Sequence, residues 1–233
     1  MTAFAHLPEI DYLLTTTKAV RRRLDLTRPV PRQLLLECIE IGCFAPNASN
    51  AQEWHWIVID DPILRRKVGE QYRKLTVPPV QQMLETKLSR GDDAGARISR
   101  SILWLAEHMS EVPVIVIPCY DVSAAEARYR DLIPDPTLRE KSGADTCGMT
   151  SGMYASILPA VWNFQLALRS RGLGSVLTTA HQGDQAAMAD ILGLPSVWDQ
   201  TCLIPVGFTI GERFSRSRRK PVEDIVVWNA LKP

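Results

Sequence analysis

The chain has 233 residues, 27 Lys+Arg against 26 Asp+Glu, and 45% hydrophobic residues. That length allows one large domain or two small ones, and either can bury a core without help from metals or disulfides. A net charge of +1 with 23% charged residues excludes an intrinsically disordered chain and a bulk polyelectrolyte binder, so any anion site has to be local.

Five scattered cysteines (Cys38, Cys43, Cys119, Cys147, Cys202) lack C-x-x-C spacing, which argues against a disulfide framework or a structural zinc site and fits a reducing cytoplasm. The N-terminus carries no basic stretch followed by an apolar run, and no segment approaches the ~20 apolar residues of a membrane span. A cytoplasmic protein with no membrane partner is expected.

Leu7, Ile10, Leu13 and Leu14 recur at helical spacing. Pro31 suits the first position of a second helix, which presents Leu34, Leu35, Cys38, Ile39 and Gly42 on one face until Pro46 stops it. The polar turn Asn47-Ala48-Ser49-Asn50 leads into a buried strand, Trp54 to Ile59, after which Asp61 is placed to cap a helix reaching about Lys74. Residues 76–95 contain Pro78-Pro79, Gly91 and Gly95 without periodicity and read as a loop or lid. Helical spacing returns from Ile98 to Met109, and the β-branched run from Pro113 to Tyr120 reads as a central strand. Residues 121–149 again look irregular and form a second candidate lid.

An apolar helix from about Ser151 to Ser170 contains Pro159 as an expected kink and ends at Gly172. Short strands at Ser175–Thr179 and Thr201–Ile210 flank a helix from Asp184 to Leu192 closed by Gly193, and a C-terminal arm follows over 212–233. Helices separate the strands, giving an α+β domain of α/β/α type.

Two short windows concentrate basic charge: Lys18, Arg21, Arg22 and Arg23 near the start, and Arg213, Arg216, Arg218, Arg219 and Lys220 near the end. Without overall basicity or interleaved aromatics they do not describe a nucleic-acid surface. The G-x-G of Gly172-Leu173-Gly174 lies between a helix and a following strand, the reverse of a dinucleotide fingerprint. The four histidines show no metal-ligand spacing, no serine sits in G-x-S-x-G, and Cys38 and Cys43 fall on or near an apolar helix face.

The strongest local signal is Ala45-Pro46-Asn47-Ala48-Ser49-Asn50-Ala51-Gln52-Glu53-Trp54, a helix-to-strand connection rich in hydrogen-bonding side chains. It resembles the A-P-S-x-x-N-x-Q-P-W block of the flavin-dependent nitroreductase family. Thr17-Lys18-Ala19-Val20-Arg21 is similar to that family's R-R-S-x-R, and Leu166 to Ser175 to its helix block ending G-L-G-S. Leu203 to Phe208 is similar to L-x-P-x-G-Y, and Arg219-Lys220-Pro221 through Trp228-Asn229 to R-K-P…W-N. Five blocks in the same order cover nearly the whole chain.

The resemblance implies a single nitroreductase-like domain over 1–233: a mixed sheet flanked by helices, an intertwined homodimer, and FMN held at the dimer interface. By the same resemblance Lys18, Ala19, Arg21 and Arg219 meet the flavin phosphate and pyrimidine side. Asn47, Ser49, Asn50 and Gln52 meet the ribityl chain or ring edge, and backbone N–H groups of Leu177, Thr178 and Thr179 approach N5. Thr17, Ala19, Asn47 and Glu53 depart from the family pattern, with Arg22 or Arg218 available to compensate for the missing charge.

The implied activity is ping-pong hydride transfer from NADH or NADPH to a nitroaromatic or quinone-type acceptor, with no side-chain general acid singled out. Relatives that perform dehalogenation, flavin fragmentation or azoline oxidation mark a second reading on the same fold. A flavin-binding redox sensor without turnover marks a third.

Overall fold

A computed structural model of the chain describes residues 7–142, 147–211 and 213–229. Its principal elements, in chain order, are α1 (Pro8–Thr16), α2 (Arg32–Cys43), β1 (Trp54–Ile59), α3 (Pro62–Ser89), α4 (Asp93–His108) and β2 (Val114–Asp121). These are followed by α5 (Val122–Leu132), α6 (Pro136–Ser142), α7 (Cys147–Ser170), β3 (Leu173–Ser175), α8 (Gln185–Leu192), β4 (Trp198–Gln200) and β5 (Ile204–Phe208).

The sheet runs β1-β2-β5-β3, with β4 joining β2 beyond the end of β5. β2 is the central strand because seven of its eight residues are buried. Its side chains alternate between two cores. Val114, Val116 and Tyr120 face a cluster with Leu35, Phe164 and Leu168, whereas Ile115, Ile117 and Cys119 face one with Val68, Tyr72 and Leu105. The sheet is therefore sandwiched between α2/α7 and α3/α4/α8. Pro118, which has no N–H to give, falls in the gap between the β5 and β4 pairings. Every described pairing is antiparallel, so the parallel pair that would make the sheet mixed is not among them.

Two expectations are corrected here. Residues 76–95 are mostly helical: α3 continues through Pro78 and Pro79 to Ser89, and α4 starts at Asp93. Val68, Tyr72, Thr76 and Val80 form a buried stripe at four-residue spacing that crosses the prolines, and packing of that stripe outweighs the lost helix bonds. Residues 121–142 form α5 and α6. Asp121 caps α5 by accepting from the Ala124 N–H at 3.0 Å, although Ala125 is the residue this helix buries, so no apolar periodicity announces it. Residues 143–146 lie outside the described residues.

Smaller shifts concern element ends. The long helix starts at Cys147, with Pro159 inside it and Gly172 at φ +76° just past its end. The strand expected over 175–179 falls earlier, at β3, leaving one bridge between Thr178 and Leu203, and the strand 201–210 contracts to β5. The arm 213–229 contains a single short 3-10 turn, Val222–Asp224.

His181 is completely buried, and burial pushes its pKa from 6.5 down to about 4, the Gln200 backbone offsetting part of the effect. Between those values the unfolded chain binds the proton and the folded one does not, so stability is intact above 6.5 and falls as pH drops toward 4. The full loss is about 3 kcal/mol. Thermal melts between pH 7 and 5 are expected to fall more steeply for the native chain than for a His181→Asn variant; parallel curves would contradict the assignment.

Candidate flavin site

The segment joining α1 to α2 crosses the open end of the sheet. The Val20 N–H bonds the Ser175 carbonyl at 2.9 Å, and Leu24 bridges Thr209. A Cβ on Gly174 would stand 2.9 Å from Val20 Cγ1 and 2.7 Å from Thr209 Cγ2, so only glycine admits this approach. With Val20 seated, Lys18, Ala19 and Arg21 line a cavity of about 520 Å³ together with Val176, Leu177 and Arg219. Its size is within the roughly 300–1,000 Å³ of small-molecule sites. Both basic windows thus contribute to one cavity.

Arg21 is half-buried, and burial lowers its pKa. Its carbonyl accepts the Leu24 N–H at 3.1 Å, but its guanidinium has no hydrogen bond or ion pair with a described residue; Tyr72, whose own pKa burial pushes up, acts on it electrostatically. No carboxylate or histidine lines the cavity among the described residues. A partly desolvated guanidinium without a protein counter-charge is chemically suited to an anion.

The remaining basic residues are used differently. Arg23 donates to the carbonyls of Ile210, Gly211 and Arg213 at 2.8–2.9 Å. Its guanidinium lies 4.0 Å from the Phe214 ring centroid, and that of Arg169 lies 4.4 Å from the same centroid. This clasp directs the chain leaving β5 back toward the cavity, where Ser217 and Arg219 arrive. Arg22 donates to the Arg100 carbonyl at 3.3 Å, and the Arg218 carbonyl accepts from Arg219 at 2.9 Å. The Thr17 hydroxyl donates to the Leu13 carbonyl at 2.7 Å, closing α1.

At the sheet end, the Thr178 N–H is taken by the Leu203 carbonyl at 3.0 Å, and its hydroxyl is 2.9 Å from that of Tyr72. Of the three N–H groups expected to meet a flavin, those of Leu177 and Thr179 remain uncommitted. Asn47, Ser49, Asn50 and Gln52 do not line the cavity of their own chain. They form a separate turn with Ser49, Asn50 and Gln52 at φ +53°, +50° and +55°. Asn47 Oδ1 accepts the Gln52 N–H at 3.0 Å, and Ser156 Oγ on α7 accepts that of Ala48 at 3.1 Å.

Sequence reasoning missed Ile98, Trp162, Gln165, Val176 and Ser217 as lining residues. Trp162 gave the one usable signal, an aromatic residue on a long apolar helix that stays 41% exposed in the fold. Its exposure depends on the register of α7 against the sheet, which the sequence does not state. Among the described residues no three His, Cys, Asp or Glu side chains gather as a metal site, and no helix is long and apolar enough to cross a membrane.

Comparison with known proteins identifies the family and the fold. Residues 15–208 match the family described as "Nitroreductase family", and the chain belongs to that family. A curated "NADH dehydrogenase" of Thermus thermophilus is 26% identical over 96% of this chain and 98% of its own length. Among solved structures, a nitroreductase family protein from Streptococcus pneumoniae superposes with a TM-score of 0.64 at 19% identity, covering 94% of this chain and 100% of that one. Iodotyrosine deiodinase, bound to FMN and 3-iodo-L-tyrosine, superposes with the same score at 21% identity over 95% of this chain and 100% of its own.

Proposed function

We propose that this chain is an FMN-dependent NAD(P)H oxidoreductase that reduces nitroaromatic or quinone-type acceptors by ping-pong hydride transfer. The observation that carries the reading is Arg21, a desolvated cation with no protein counter-charge, in a cavity shared with Lys18 and Arg219. The FMN named for the superposed deiodinase structure supports the choice of anion.

The residues present suit this cofactor. Lys18 and Arg219 would hold its phosphate, Arg21 its pyrimidine side, and the N–H groups of Leu177 and Thr179 its central ring. FMN supplies the hydride acceptor and donor that the protein lacks. The chain binds and orients it, and Arg21 favours the anionic reduced form. No carboxylic acid or histidine lines the cavity among the described residues, so in this proposal the proton that a quinone needs in addition to the transferred hydride is drawn from solvent.

The active form is read as a homodimer. Ile41 on α2, Phe44 just past its end and Leu158 on α7, with Ile225, Val227 and Trp228 on the arm, leave apolar surface exposed, Phe44 at 82% and Trp228 at 83%. In this reading, which follows the family resemblance, the Asn47–Gln52 turn of a second copy completes the cavity.

The test is a visible spectrum of the purified protein followed by NAD(P)H oxidation with menadione as acceptor. Bound flavin and turnover are expected. Protein that neither takes up added FMN nor oxidises NAD(P)H would overturn the proposal, and bound flavin without turnover would favour the sensor reading.

A further inference from the structure

Glu53 has no place in the cavity, yet it is among the most firmly held acidic residues in the fold. Its carboxylate side chain is 8% exposed and that of its partner Arg128 13%. Arg128 donates Nε to Oε1 at 2.8 Å and Nη2 to Oε2 at 3.0 Å, and the Tyr120 hydroxyl donates to Oε2 at 2.7 Å. The Glu53 carbonyl accepts the Asp121 N–H at 2.9 Å. Three parts of the chain meet here: the residue entering β1, the end of β2, and α5.

Immediately upstream lies the turn with three non-glycine residues at positive φ. Such conformations persist only where the surroundings over-determine them. Ser156 fixes the upstream end, and the Asn47–Gln52 bond closes the middle. The downstream end is followed by the Trp54 N–H, which bonds the Gln52 carbonyl at 2.9 Å, and by Glu53.

We propose that Glu53 is a positioning residue: held by Arg128 and Tyr120, it fixes the downstream end of the Asn47–Gln52 turn and so sets how Asn50 and Gln52 are presented to the flavin. This rests on the function proposed above. It also assigns α5 a part, since α5 braces the turn through Arg128. Displacing α5 would break the ion pair and loosen the turn with it.

The test compares the native protein with Glu53→Gln, Arg128→Met and the double variant Glu53→Leu/Arg128→Met. The double variant leaves no unpaired buried charge and keeps folding intact where a single variant fails. Two quantities are read: hydrogen exchange at the Gln52 and Trp54 amides without flavin, and the FMN dissociation rate. Both are expected to rise in the double variant, the dissociation rate by about tenfold, the scale of coupling between contacting residues. In an Asn50→Ala/Gln52→Ala background the same change should leave that rate unaltered.

Unchanged exchange would overturn the brace. Faster exchange with an unchanged dissociation rate, or an equal rise in the Asn50→Ala/Gln52→Ala background, would confine the pair to structure. A native protein that takes up no FMN would overturn the functional reading itself, whereas the exchange experiment still decides whether Glu53 holds the turn.

Discussion

Arg21→Met is expected to raise the dissociation constant for FMN by roughly 10- to 100-fold, the range for losing a charge-assisted hydrogen bond. The same change should leave the thermal midpoint of the flavin-free protein unchanged or higher. Burial lowers the Arg21 pKa, so the fold disfavours this cation, and no protein anion compensates it. Methionine retains much of the apolar stem and removes the desolvated charge. Equilibrium titration with FMN and a melt of the apo protein measure the two sides. An unchanged affinity together with a lowered midpoint would make Arg21 a structural residue and remove the main support for the site.

Phe164→Ala should produce the largest loss of stability, about 3–5 kcal/mol, as expected for deleting a buried aromatic residue from a core. Phe164 is fully buried on α7 and meets Trp56 of β1 edge-on at 5.3 Å. It also closes the α2–α7 contact, because a Cβ on Gly42 would already lie 3.2 Å from Phe164 Cβ and 2.9 Å from the Ala160 carbonyl. The helices already approach closely at Gly42, which limits how far they can shift to fill the void. For a chain of this size the midpoint should fall by roughly 6–20 °C. A fall of only a few degrees by calorimetry would mean that the contact collapses more readily than this geometry allows.

Where local chemistry decided structure, the sequence was readable. Asp61 caps α3 by accepting the Leu64 N–H at 2.8 Å, and Gly193 ends α8 at φ +65°. The β-branched run of β2 named the central strand, whereas β1, expected as a buried strand, lies at the edge of the described sheet with Ile59 its one buried residue. Reading failed where tertiary contacts decided the outcome. Pro78-Pro79 pointed to a loop, but four side chains from Val68 to Val80 hold α3 straight through it. α5 was invisible because an ion pair from Arg128 to Glu53 fastens it, and no periodic apolar face signals that.

The site shows the same division. The two basic windows foretold one cavity, and Lys18, Ala19, Arg21, Leu177 and Arg219 do line it. Within those windows, however, adjacent arginines have unlike roles. Arg21 is free and desolvated, whereas Arg23 grips three carbonyls. The difference lies in which backbone groups stand opposite, which composition does not encode. The Asn47–Gln52 turn was legible as a polar cluster, but its separation from the cavity of its own chain was not.

The central claim is that the cavity between the two basic windows recognises the phosphate of a flavin. It is tested most directly by titrating the apo protein with FMN and with riboflavin, which differ in that phosphate. FMN should bind at least about tenfold more tightly, the minimum for one charge-assisted phosphate contact, and Arg219→Ala should narrow the gap. Equal affinity for the two flavins, or a gap untouched by Arg219→Ala, would contradict it.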